Sequence, residues 1–163
     1  MNYTQRKLLV LEEILDPMAV RLLRQPSQPV KTIDGVVREV VEFLEHQMTL
    51  EHYGREANGF AAVQFGELIR VIIFKYDTLT TRVLINPEII LEKDSVTMLE
   101  ECFSIPRHAF IVTRPKVVKC QGLNLNGETV TIKGRERLAR LLKHEVDHLD
   151  GILIDKIAER RLY

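Results

Sequence analysis

The segment His144-Glu145-Val146-Asp147-His148 constrains this chain more than any other. Residues four apart on a helix are neighbours, with Cβ atoms roughly 5–6 Å apart. Both imidazoles can then reach one small divalent ion, and Glu145 can reach a water bound to it. The flanking sequence supports the helix. From Gly134 onward, Leu138, Ala139, Leu141, Leu142, Val146 and Leu149 recur at steps of three and four, and Gly151 offers the left-handed position that commonly closes a helix. Taken alone, the same two histidines also suit a solvated helix face.

Two histidines do not complete such a site, because catalytic centres of this type use three protein ligands and leave one position for water. The chain must supply a third. His46 falls on a predicted helix, His52 just beyond it and His108 in a predicted loop, and each reads as a surface histidine. Cys102 is the better candidate, at the end of a predicted strand within Glu100-Glu101-Cys102-Phe103-Ser104. A small buried core residue is the other common fate of a free cysteine.

The length of 163 residues and 45% hydrophobic content suit a single domain, residues 1–163, around one core. Lys plus Arg (23) balances Asp plus Glu (23), so net charge gives no reason to expect nucleic acid as a partner. The N-terminal apolar run, Leu8 to Leu11, ends at Glu12 and Glu13 and is too short for a signal-peptide core. No stretch approaches the ~20 apolar residues of a membrane span, so no membrane contact is expected. Cys102 and Cys120 are expected to be reduced, in the cytoplasm.

An amphipathic helix is predicted from about Asp34 to Leu50, through Val36, Val37, Val40, Val41, Leu44 and Met48. Leu68–Phe74, Thr81–Ile85, Lys116–Leu123 and Val130–Lys133 read as short strands, the last two joined by a turn at Asn124–Gly127. The metal-site helix follows, and Lys156–Tyr163 reads as a charged tail. Helix, many short strands, then helix favours an α+β domain.

Three segments in this order resemble the peptide deformylases: Gly59-Phe60-Ala61-Ala62-Val63-Gln64, Glu100-Glu101-Cys102-Phe103-Ser104 and His144-Glu145-Val146-Asp147-His148-Leu149-Asp150-Gly151. The family patterns are G-x-G-x-A-A-x-Q, E-G-C-L-S and Q-H-E-x-D-H. Ile85-Asn86-Pro87-Glu88 and Val112-Thr113-Arg114 agree as well, so the likeness runs from about Ile14 to Asp155. It implies short antiparallel strands around the metal-binding helix and hydrolysis of the N-formyl group of formylmethionyl peptides or nascent chains. By the same resemblance Cys102, His144 and His148 bind the metal and Glu145 moves the proton. The Gln64 amide and the Phe103 N–H hold the developing oxyanion. Asn58 and Gly59 hold the peptide through their main chain, with Glu101 beside it. Glu100 and Asp147 are candidates to orient ligand imidazoles through their outer nitrogens, with a surface or structural salt bridge as the alternative for either. Resemblance favours iron(II), Fe2+, in the cell, while the donor set also suits zinc, nickel or cobalt. Contact with the ribosome is left open.

Three positions depart from those patterns. Ala57 and Glu101 replace glycines, and Lys143 replaces the glutamine before the first ligand histidine. Glu101 and Lys143, both charged and both next to a ligand position, are expected to pair at the rim of the site. These departures keep open action on another formylated amine, or a noncatalytic descendant that binds formyl-peptide or ribosome. A metallopeptidase shares the His-Glu-x-x-His pattern, but the cysteine ligand and the Gln64 segment speak against it.

Overall fold

The structure is a computed structural model that describes residues 6–10, 17–52, 54–76 and 80–162. The break expected at Glu12 and Glu13 lies outside the described residues, as does Tyr163. α1 (Pro17–Leu23) opens on proline, tolerated at a first helical position because no N–H is needed there. α2 (Gly35–Gln47) starts one residue later than expected because Asp34 is its N-cap, accepting the Val37 N–H at 3.1 Å. Its stripe of Val37, Val40, Val41, Phe43 and Leu44 is buried.

The strands follow as β1 (Glu51–His52), β2 (Arg55–Glu56), β3 (Gly59–Ala61), β4 (Val71–Phe74), β5 (Arg82–Lys93), β6 (Val96–Cys102), β7 (Ile105–Arg114), β8 (Val117–Leu123) and β9 (Thr129–Arg135). A 3-10 turn, Ala62–Phe65, continues directly from β3. α3 (Glu136–Leu149), α4 (Ile154–Ile157) and β10 (Arg160–Arg161) complete the described chain. One antiparallel sheet runs β3-β4-β5-β8-β9 and a second runs β10-β7-β6, while β1 and β2 form a separate hairpin. Both β3 and β6 stand at an end of their sheets, so each has an edge without a strand partner among the described residues.

β4 is apolar on both faces, and its alternation divides the core. Val71 and Ile73 pack with the α2 stripe, whereas Ile72 and Phe74 pack with Leu138, Ala139, Leu142, Val146 and Leu149 of α3. A third cluster sets Cys102, Ile105, Phe110 and Val112 of the small sheet against Leu23 of α1 and Leu153 and Ile154. α3 is thus fastened along its apolar face to the large sheet, and its other side meets the small one. Gly151, at φ 72°, closes it as expected.

Three expectations change. β5 does not stop at Ile85 but runs to Lys93. It passes Asn86 and Pro87 through a register shift between Ile85 and Glu88, where the ladder does not require a proline N–H. His108 lies on β7, not in a loop. The described part of the charged tail has regular structure: α4 precedes β10, which pairs with Ile111 and Phe110 of β7. Its arginines alternate with nothing apolar, so no strand pattern marks it. Among the described residues, no helix is long and apolar enough to cross a membrane.

Candidate metal centre and active site

The site lies where β6 ends against α3. β6 delivers Cys102 as its last residue, and α3 presents His144 and His148 one turn apart. Ligand atoms of these three residues all lie within 4.8 Å of one another. Cys102 Sγ is 3.3 Å from His148 Nε2. Bonds of roughly 2.0–2.3 Å to one ion can span such a cluster. One thiolate and two imidazoles also suit a divalent transition metal, so the donor set fits the group that the sequence implies.

Glu100 orients the first imidazole. His144 Nδ1 donates to Glu100 Oε1 at 2.6 Å, which turns Nε2 toward the cluster. Arg114 Nη2 at 2.7 Å and Arg140 Nη1 at 2.6 Å hold the same carboxylate. Burial alone would raise the Glu100 carboxyl, but His144 and Arg114 hold it well below the usual carboxylate range. Asp147 does not take the matching role. Its carboxylate meets Arg114 and, at 3.1 Å, Lys143. His148 Nδ1 is buried with no hydrogen-bond partner among the described residues. Adjacent helix positions point about a quarter-turn apart, so Asp147 faces β7 instead of the His148 ring. It acts on the site through Arg114, which bridges it to Glu100.

Glu101 and Lys143 do not pair. Glu101 Oε2 accepts from Arg55 Nη1 at 2.7 Å, while Lys143 reaches Asp147 and, at 3.5 Å, Glu92 of β5. Glu101 lines the cleft, whereas Lys143 lies on the flank of α3 toward β5.

Glu145 projects into the cleft beside the cluster. Its Oε2 is buried without a hydrogen-bond partner among the described residues. Burial pushes its carboxyl up to about 7, against the lowering influence of His144. Such a group can take and return a proton near neutral pH. Gln64, on the 3-10 turn, is held at its oxygen: Oε1 accepts the Ala61 N–H at 2.9 Å. The amide nitrogen therefore faces Ser104, whose Oγ accepts one N–H at 3.1 Å, and its second N–H is not used by that bond. Asn58, Gly59, Gln64, Glu101, Phe103 and Glu145 all line one cleft of about 870 Å3.

The edge of β3 separates two residues that the sequence treats together. The Asn58 carbonyl accepts the Lys75 N–H at 2.8 Å and so is directed toward β4. Successive residues of an antiparallel strand alternate in direction, which leaves the Gly59 N–H and C=O on the free edge. Asn58 thus turns its carbonyl to β4 while lining the cleft, and Gly59 has both main-chain groups on the free edge.

A sequence model of polypeptide deformylase matches residues 13–162. The chain belongs to the polypeptide deformylase family. Among polypeptide deformylases, the peptide deformylase of Alkaliphilus metalliredigens is 42% identical over 146 residues, covering 86% of this chain and 98% of that protein. A peptide deformylase from Synechococcus elongatus, solved in complex with actinonin, is 31% identical with a TM-score of 0.82, covering 95% of this chain and 79% of that one. One from Acinetobacter baumannii, solved with Met-Ala-Ser bound, is 26% identical with a TM-score of 0.79, covering 93% and 97%. The family is metal-dependent, which agrees with the Cys102, His144 and His148 cluster.

Sequence reasoning assigned no part to Arg114, Arg140, Ser104 or Arg55. Arg140 had a readable signal, since it stands four residues before His144 and so one turn along the same face. Arg114 lies within the quoted Val112-Thr113-Arg114 run, but nothing in a linear pattern says that an arginine ending a strand is buried between two acids. His52 is no loose surface histidine: its ring lies 4.9 Å from Phe60 and 5.7 Å from Phe103.

Proposed function

We propose that this protein hydrolyses the N-formyl group of formylmethionyl peptides or nascent chains, releasing formate and a free α-amine. One observation carries the reading: a buried Glu145 carboxylate, its Oε2 without a hydrogen-bond partner among the described residues, stands beside the Cys102, His144 and His148 cluster, in a cleft that also holds an oriented Gln64 amide. Cys102, His144 and His148 would hold one divalent ion, iron(II) by similarity in a reducing cytoplasm, with zinc, nickel or cobalt accepted by the same donors. When bound, the ion supplies a Lewis acid that polarises the formyl carbonyl and makes water acidic near neutral pH.

The chain's own groups do the rest. Glu145 accepts the proton of the attacking water and returns it to the departing nitrogen as the C–N bond breaks. The second N–H of Gln64 and the Phe103 N–H would donate to the oxygen on which negative charge develops. Glu100 keeps His144 turned toward the cluster, His144 and Arg114 keep Glu100 ionised, and Arg140 holds the carboxylate in place. The peptide lies along the free edge of β3, where Gly59 offers its main-chain groups, with the free edge of β6 on its other side.

The test is formate release from a formyl-Met-Ala-Ser peptide by anaerobically prepared iron(II) protein, run beside an unblocked peptide of longer sequence. Formate release with no internal cleavage is expected. Internal cleavage would instead make the protein a metallopeptidase. No release from a metal-filled site would favour another formylated amine or a noncatalytic role.

A further inference from the structure

Glu101 stands where the family pattern has glycine, and the structure gives this replacement a partner and a task. β6 and β7 pair regularly up to Glu101 and Ala109, but the next pair is Cys102 and Ile105. Pro106, Arg107 and His108 therefore bulge from the β7 side, with Arg107 at φ 64°. The hairpin tip, Phe103-Ser104, is cut off from the regular ladder by this bulge. It nevertheless carries a metal-ligand position on one side and an oxyanion donor in its middle.

Lateral contacts supply what the ladder omits. The Phe103 ring is bounded by His52 and Phe60, each with its ring centroid 5.7 Å away. Arg55 lays its guanidinium over the same ring, with Cζ 5.1 Å from the centroid, and Glu101 Oε2 accepts from Arg55 Nη1 at 2.7 Å. His52 and Arg55 are opposite each other in the β1–β2 hairpin, and His52 Nε2 hydrogen-bonds the Gln47 carbonyl at the end of α2 at 3.1 Å. A chain of contacts thus runs from α2 through the hairpin onto Phe103, and Glu101 fixes its outermost member.

We propose that Arg55 and Glu101 are positioning residues that clamp the Phe103-Ser104 turn and so hold the Phe103 N–H at the formyl oxygen. This rests on the deformylase reading for its catalytic consequence, but the clamp itself is a property of the turn. An exposed ion pair contributes little to global stability. Its loss acts instead on placement, and a misplaced donor costs rate without weakening ground-state binding.

The experiment compares metal-loaded wild type with Arg55→Ala, Glu101→Gln, the double variant and Arg55→Lys. It reads kcat and KM on formyl-Met-Ala-Ser together with amide hydrogen exchange across residues 102–107. Arg55→Ala and Glu101→Gln should each lower kcat about tenfold, with KM within about twofold and faster exchange in the turn. The double variant should fall no further than either single one, as members of one clamp must, and Arg55→Lys should restore most of kcat and the slow exchange. Unchanged kcat and exchange in Arg55→Ala, or a change in KM alone, overturns the clamp. Faster exchange in the variants of a wild type that releases no formate would keep the clamp and reject the deformylase reading.

Discussion

At Gly59 the fold has no room for a methyl group. A Cβ built there would stand 2.8 Å from Glu145 Oε1 and 3.0 Å from Leu141 Cδ1. The sequence suggests that this glycine lets a peptide approach. The structure adds a second reason: its missing side chain is the space in which the Glu145 carboxylate sits. Gly59→Ala should therefore displace Glu145 and lower kcat by roughly 100-fold, the cost expected of an ångström-scale misplacement. Steady-state kinetics and thermal unfolding check this, the second being expected to change little. The ligand positions and Glu145 were legible because their chemistry is tied to residue type and spacing. The use of Gly59 was not, because it depends on a carboxylate 86 positions away in the chain, at Glu145.

Among elements, β6, β7 and α3 are joined by buried charge as well as by apolar contact. Arg114 is 3% exposed at its side chain, and its partners Glu100 and Asp147 are 6% and 5% exposed. Removing the guanidinium would leave two carboxylates buried without their shared cation. Arg114→Met should destabilise the fold by about 3–5 kcal/mol, as breaking a buried pair does. It should also weaken metal binding, because Glu100 would lose a group that keeps it ionised beneath His144. Chemical denaturation and metal titration measure the two effects. α2, α3, β4 and β8 were readable from apolar periodicity, each burying a stripe or a face. β10 and the second half of β5 were not, since an edge strand of arginines and a strand that continues past Pro87 carry no such period. Arg114 escaped for a related reason: burial of a charge is decided by what folds over it.

The molecule as a whole places its chemistry between two sheets. The large sheet contributes the Gly59 edge and the Gln64 turn, the small sheet contributes Cys102 and Phe103, and α3 packs on both and carries the histidines and Glu145. The motif order was visible in the chain, but the meeting, on either side of one cleft, of two edges unpaired among the described residues is a product of topology. In the proposed reaction Glu145 moves the proton of a metal-dependent deformylation. The most direct measurement is formate release by Glu145→Ala at metal occupancy matched to the wild type. One bound ion is expected in both proteins, with kcat lowered by roughly 100- to 10,000-fold in the variant, the range for a lost general acid–base group. Wild-type turnover by the fully loaded variant would contradict it.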